Sequence, residues 1–281
     1  MLFKDAKSKE RDLFKDLLDY AEVTPQLAST PESVALNLPR AREVVEQVGA
    51  IGLSEGYTDY FKASAERYAH YLAAAIGLLK PESSILDVGN APGHVGIGLH
   101  LLGHKVRGLN MSAEYRSNYA SPSWLTEFDV IETNFEHNPI PVADESFDVV
   151  IFTEVFEHIA TRNPVEVLVE LKRVLRKGGL LIFSTPNVCN ISNIYALLHG
   201  HNIFWNKEIF YGSLDRHNRE FTPAEVQNCF AEAGFEVVEF WGMNDHSNWR
   251  GGGNVFAYDF TTKYGTDHPM LRNTTVAVYR K

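Results

Sequence analysis

Ile85-Leu86-Asp87-Val88-Gly89-Asn90-Ala91-Pro92-Gly93-His94-Val95-Gly96 is the stretch that decides the fold. It opens on a short apolar run broken by one acid, as expected of a buried strand ending near a carboxylate. A glycine-bearing turn follows, and Val95, Leu99 and Leu102 then recur at helical spacing as far as Gly103. Backbone N–H groups at such a turn can approach a bound group closely, at the carboxyl end of a strand, where open α/β sheets take their ligands.

Outward from this unit the pattern repeats. Short apolar runs at Lys105–Leu109, Phe128–Ile131, Phe147–Phe152 and Leu180–Ser184 alternate with helical segments, which predicts right-handed crossovers and a parallel sheet. Two helices carry full end signals. Asn163-Pro164-Val165-Glu166 gives an N-cap, a first-turn proline and an N3 glutamate, and the basic residues Lys172, Arg173, Arg176 and Lys177 predict a last turn stopped by Gly178. Thr222-Pro223-Ala224-Glu225 repeats the start, with Gly234 as the stop. Phe235–Trp241 and Thr274–Tyr279 read as two further strands pairing antiparallel at a sheet edge, with a polar loop containing Gly251-Gly252-Gly253 between them.

The expected fold is α/β: a doubly wound, seven-stranded, mostly parallel sheet. Residues 1–80 read as a helical N-terminal region, with Leu13, Phe14, Leu17, Leu18 and Ala21 at helical spacing and a second apolar stripe over Tyr60–Leu79. Residues 81–281 form the main domain, with a lid insertion near 188–220 in which Phe204, Trp205, Phe210 and Tyr211 are concentrated.

Composition narrows the function. With 44% hydrophobic and 22% charged residues the chain is an ordinary folded protein. Its net charge of −10 and lack of a basic patch argue against a nucleic-acid partner. No apolar run nears the roughly 20 residues of a membrane helix, so no integral membrane contact is expected. Cys189 and Cys229 have no zinc spacing and no signal peptide is evident, which predicts a cytoplasmic setting. An oligomer is compatible with the sequence but not required by it.

Position 91 is alanine and position 94 histidine where the dinucleotide fingerprint wants glycines, so a nicotinamide site is disfavoured. Asp87, Gly89, Ala91 and Gly93 instead resemble the first motif of the class I S-adenosylmethionine-dependent methyltransferases, an acid followed by G-x-G-x-G. Ser146-Phe147-Asp148-Val149-Val150, Glu157-His158, Arg173-Val174-Leu175-Arg176-Lys177-Gly178-Gly179, Thr185-Pro186-Asn187 and Ala233-Gly234-Phe235 extend the resemblance in order over about residues 82–242. His217-Asn218-Arg219-Glu220-Phe221-Thr222 and Gly200-His201-Asn202-Ile203 look like the branch that modifies polysaccharides and sugars.

The resemblance implies the cofactor S-adenosylmethionine, held by Asp87, Gly89, Ala91, Gly93, Asn110, Met111, Asn134 and Phe135. Two positions depart from the family: Asn110 stands where an acid usually takes the ribose hydroxyls, and Asn134 where an acid usually receives the adenine amine. An amide accepts without charge assistance, so each contact is expected to be weaker by about 1 kcal/mol.

The reaction implied is methyl transfer to a small-molecule or glycan acceptor, chiefly to oxygen. His217 is the candidate base, since an imidazole titrates near working pH, and His158 a second catalytic candidate. Structural roles for both histidines stay open. Tyr211, Arg216 and Arg219 are expected on the acceptor side. His199, His201, Asp215 and His217 match no metal-site spacing, so no metal is expected. The rival reading is a methyltransferase-like module without turnover that binds a partner or senses the cofactor, a reading Asn110 and Asn134 keep alive.

Overall fold

The computed structural model describes residues 30–51, 55–111, 129–212, 216–244 and 269–281. The helical positions Leu13–Ala21, Phe128, Asp215 and the Gly251–Gly253 loop lie outside the described residues.

Among the described residues the seven strands are β1 (Ser84–Val88), β2 (Lys105–Asn110), β3 (Asp129–Glu132), β4 (Phe147–Thr153), β5 (Leu175–Pro186), β6 (Glu236–Met243) and β7 (Thr274–Arg280). They form one sheet in the order β3-β2-β1-β4-β5-β7-β6. β1 pairs in parallel with β2 on one side and β4 on the other. β7 runs antiparallel to both β5 and β6, as expected of the last two strands. The order reverses between β1 and β4, and at that switch point the carboxyl ends of the strands leave a crevice between diverging connections.

Successive residues of a strand face opposite sides of the sheet, and both sides are covered. Leu86, Val88, Val150 and Phe152 enter one core with Leu168 and Leu171 of α4 (Pro164–Val174) and Phe230 of α7 (Pro223–Glu232). Ile85, Val149, Ile151 and Ile182 enter the other, with Val44 and Val48 of α1 (Glu32–Ala50), Tyr71 and Leu72 of α2 (Glu55–Leu78) and Leu99 of α3 (His94–Leu101). The N-terminal helices are thus the cover of one sheet face and share its core. Asp87 shares the strand face of Ile85, so it turns toward α2 and α3. Two short helices, α5 (Ile191–Leu198) and α6 (Lys207–Gly212), occupy the expected lid segment.

The caps read from sequence are present. Asn163 accepts from Val165 N at 2.9 Å. Thr222 and Glu225 form a reciprocal capping box. One helix end needs correcting: α4 stops at Val174, and Leu175 is already paired with Phe147 in the sheet. Arg176 is drawn out of the helix by Asp148, its Nη1 lying 2.6 Å from Oδ1, so Lys172 and Arg173 alone are basic in the last turn. Gly178 keeps its turn role, at φ +72°, inside the strand instead of at the helix end.

Candidate active site

The β1 turn is built to bring backbone close to a ligand. Gly89 sits at φ +73° and Gly93 at φ +93°, a left-handed region that favours glycine. A Cβ on Gly89 would meet Val155 Cγ2 at 2.3 Å. Gly89 N donates to Leu109 O at 2.8 Å, and Ala91 N donates to Asn110 Oδ1 at 3.0 Å. The amide at 110 therefore ties the turn to the end of β2. Asp87 is 3% exposed and accepts from Asn90 Nδ2 at 2.9 Å. Burial pushes its carboxyl up to about 6, against the hydrogen bonds from Asn90 and Gly96 that favour the charge.

These residues floor an open pocket, which α2 roofs. Tyr60, Arg67, Tyr68 and Tyr71 of α2 line it opposite Asp87, Gly89, Ala91 and Gly93, and Thr153 and Glu154 line it at the end of β4. Arg67 Nη1 lies 2.8 Å from Glu154 Oε2, and its Nη2 donates to Ser64 Oγ at 2.8 Å. Glu154 also accepts from Ser184 Oγ at 2.7 Å while held at φ +56°, a strained backbone of the kind that persists where surroundings over-determine it. Tyr68 OH meets His94 Nδ1 at 3.1 Å. Sequence reasoning missed Arg67 and the tyrosines because they lie on a helix whose stripe reads as packing; their place in the pocket depends on its docking against the ends of β1 and β4.

Beyond Glu154 the chain turns through a 3-10 helix at Phe156–His158. Glu157 is 1% exposed, and its Oε2 accepts from Thr185 Oγ1 at 3.0 Å. Its carboxyl is pushed above the usual range, first by burial and then by Glu154, with His217 opposing. The backbone of residues 216–219 is stitched onto this turn: Asn218 N and Arg219 N donate to Glu157 O at 2.8 and 3.2 Å, and Asn218 Nδ2 to His158 O at 2.7 Å. The stitching brings the rings of His158 and His217 to 4.9 Å, edge to face, with Trp205 of the lid 5.3 Å from His217. His217 Nδ1 meets Glu220 Oε1 at 2.8 Å.

The other expected site residues are more scattered. Met111 is half-buried beside Asn110. Asn134 Oδ1 accepts from Glu136 N at 3.0 Å in the turn after β3. Phe135 is 5% exposed and packs in the core against Phe152, ring to ring at 6.4 Å. Tyr211 is 81% exposed. Arg216 donates to Phe210 O and Asn218 Oδ1 at 2.9 and 3.0 Å. Arg219 pairs with Glu225 and covers the Phe221 ring.

This architecture, a glycine turn and buried acid at the switch point of a sheet with an antiparallel seventh strand, is that of an S-adenosylmethionine-dependent methyltransferase. Residues 60–240 match the family described as a methyltransferase domain, and the chain belongs to it. Two ubiquinone biosynthesis O-methyltransferases are similar to it. That of Colwellia psychrerythraea is 26% identical over 58% of this chain and 65% of its own length. That of Maricaulis maris is 29% identical over 54% of this chain and 59% of its own. The chain therefore spans less than two thirds of either relative. Among solved structures, a methyltransferase from Archaeoglobus fulgidus matches 79% of this chain and 94% of its own at 15% identity and a TM-score of 0.52. One from Methanosarcina mazei matches 72% and 94% at 17% identity and a TM-score of 0.51. Both share the fold.

The cofactor is S-adenosylmethionine, and the residues present fit it: an open pocket, a turn without Cβ atoms at Gly89 and Gly93, and a buried carboxylate at its floor. No helix among the described residues is long and apolar enough to cross a membrane.

Proposed function

We propose that the protein methylates a hydroxyl oxygen of a small-molecule or glycan acceptor, in a reducing, cytoplasmic setting. The observation that carries the reading is the sequence Thr153-Glu154-Val155-Phe156-Glu157-His158, whose first two residues line the cofactor pocket and whose last two meet His217. One strand end thus connects the pocket to a group of side chains suited to a hydroxyl and its proton. The similar O-methyltransferases support oxygen as the acceptor atom, and the His217–Thr222 segment keeps a glycan within the class.

S-adenosylmethionine, when bound, supplies a methyl group on a sulfonium leaving group. Asp87, the turn at Gly89–Gly93 and Asn110 hold and orient the cofactor, and α2 with Arg67 and Tyr68 closes water out. The group Glu157, His158 and His217 receives the acceptor hydroxyl and manages its proton, while the lid between 188 and 220 limits the acceptor's size. Alignment of the two reactants is the protein's main contribution.

Turnover of catechols, simple phenols, monosaccharides and oligosaccharides, read as release of S-adenosylhomocysteine, tests the proposal. A methylated hydroxyl in any class is expected, with His217→Gln lowering turnover by about 10²- to 10⁴-fold at unchanged cofactor affinity. Cofactor binding without product from any acceptor would favour the module without turnover.

A further inference from the structure

Three side-chain atoms with lone pairs converge behind the turn after β4. Glu157 Oε1 is buried and has no hydrogen-bond partner among the described residues. Nε2 of His158 lies 3.8 Å from it and Nε2 of His217 4.0 Å, both too long for N–H···O hydrogen bonds. One ligand atom of each residue lies within 4.8 Å of the others.

The opposite edge of each ring fixes what its Nε2 presents. His158 Nδ1 faces the Arg216 carbonyl at 3.0 Å and His217 Nδ1 faces Glu220 Oε1 at 2.8 Å. A carbonyl and a carboxylate only accept, so each Nδ1 carries its ring's hydrogen. In the neutral rings both Nε2 atoms then hold a lone pair. Two imidazole lone pairs and a carboxylate oxygen facing one another repel in the absence of a positive centre and attract around one. An imidazole that donates its far N–H to a carboxylate or carbonyl is also the usual outer support of a metal ligand.

We infer that Glu157, His158 and His217 bind a divalent transition-metal cation, with Glu220 and the Arg216 carbonyl holding the two rings in place. Bonds of about 2.1 Å in a tetrahedral shell set neighbouring donors about 3.4 Å apart, so the two carboxylate–imidazole distances shorten by about 0.5 Å on binding. Two nitrogens and one oxygen select a zinc-like first-row ion over magnesium or calcium, which prefer oxygen. Three protein ligands leave a coordination position open to an added oxygen. Resting on the methyl-transfer reading, that oxygen is the acceptor hydroxyl. The bound hydroxyl releases its proton to water, its oxygen forms the new O–CH3 bond, and the S–CH3 electron pair leaves with sulfur. His217 then serves as a ligand, and it acts on the acceptor's proton through the ion.

The sequence expectation of no metal was drawn from His199, His201, Asp215 and His217. It did not include Glu157, whose meeting with His217 requires the 216–219 segment to cross the β4 loop.

The full chain, stripped with a chelator and dialysed, is titrated with Zn²⁺ by calorimetry and with Co²⁺ by visible absorption, with Mg²⁺ for comparison. The expected result is one Zn²⁺ or Co²⁺ per chain and no comparable Mg²⁺ binding. Glu157→Gln and His217→Gln are each expected to weaken Zn²⁺ binding by about 100-fold or more, and Glu220→Gln by roughly 10- to 100-fold. Asp87→Asn, which damages the cofactor site, is expected to bind Zn²⁺ as the wild type does. Circular dichroism checks each variant, and His217→Gln, on a partly exposed ring, decides if Glu157→Gln does not fold. No stoichiometric Zn²⁺ uptake by the wild type, or equal uptake by Glu157→Gln and His217→Gln, overturns the site. Zn²⁺ uptake without S-adenosylmethionine binding removes the methyl-transfer reading and leaves the site standing.

Discussion

Asp87 carries opposite obligations. On the proposed reading the carboxylate at the floor of the pocket serves the cofactor, but it is buried with its carboxyl raised to about 6. Near neutral pH the charge costs folding free energy that a neutral isostere avoids. Asp87→Asn is expected to stabilise the empty protein by about 1 to 3 kcal/mol at pH 7 while removing most cofactor affinity. Thermal melts with and without S-adenosylmethionine check both halves, and a less stable variant would mean that the hydrogen bonds from Asn90 and Gly96 outweigh burial. Asn110 answers to a different constraint, since its oxygen already accepts from Ala91 N. Asn110→Ala is expected to weaken cofactor binding by roughly 1 to 2 kcal/mol, and Asn110→Asp to bind at least as well as the wild type, because a carboxylate can keep the turn and still accept from a ribose hydroxyl. Unchanged affinity in both, measured by calorimetry, would place the ribose elsewhere. The placement of both positions beside the turn was legible in sequence because each sits near the end of its own strand. Glu157 and Arg67 were not recognised as site residues, since their partners Thr185, His217 and Glu154 are distant in the chain and meet them only after folding.

The proposed cofactor site depends on the glycine turn between β1 and α3. Its shape is set locally by positive φ at Gly89 and Gly93, and tertiarily by Val155, which occupies the space a Cβ on residue 89 would need. Gly89→Ala is expected to cost about 1 to 3 kcal/mol of stability and to abolish measurable cofactor binding, because the turn must shift away from Val155. Denaturant unfolding and calorimetry on the same preparation check it, and a variant with full affinity would show that the turn relaxes elsewhere. Elements with purely local signals matched the sequence reading: the Asn163 and Thr222 caps lie where the residues indicate. The end of α4 did not, because basic residues favour a helix C-terminus without knowing that Asp148 waits on β4 to take Arg176. The aromatic residues of the expected lid segment lie in different settings. Trp205 does turn to His217, whereas Tyr211, expected on the acceptor side, stands at the surface.

At the scale of the whole molecule, the sheet order follows from the alternation of strands and helices, while the union of α1 and α2 with one face of the sheet could not be read from a stripe that says only that something is covered. That union buries His70 against Trp241, whose Nε1 donates to His70 Nδ1 at 3.2 Å, and it sets His94 beneath Tyr68. Burial lowers both histidines to about 4 from 6.5. The unfolded chain therefore takes up these protons first, and the stability of the neutral, buried rings is fully present above pH 6.5 and lost as pH falls toward 4. Asp87 works the other way over part of that window, since its raised carboxyl favours the folded state as pH falls below 6. Glu157, likewise raised by burial, also favours the folded state as pH falls, so two groups stand against two and the wild type is expected to change by no more than about 1 kcal/mol between pH 6.5 and 4. His70→Asn, which keeps an acceptor for Trp241, removes one of the two histidines and is expected to gain about 2 kcal/mol relative to the wild type over the same fall in pH, and an unchanged pH dependence in urea unfolding across that range would contradict the assignment to His70. Below it, Asp148 and Glu170, whose carboxyls burial would raise but Arg176 and Arg173 hold below the usual range, add a further loss as they protonate.

If the pocket between the Gly89–Gly93 turn and α2 is an S-adenosylmethionine site, calorimetry on the full chain registers the cofactor there. One molecule of S-adenosylmethionine or S-adenosylhomocysteine is expected to bind per chain, with NAD producing no heat and Asp87→Asn losing the signal. No heat and no thermal shift at millimolar S-adenosylmethionine, or undiminished binding in Asp87→Asn, would contradict it.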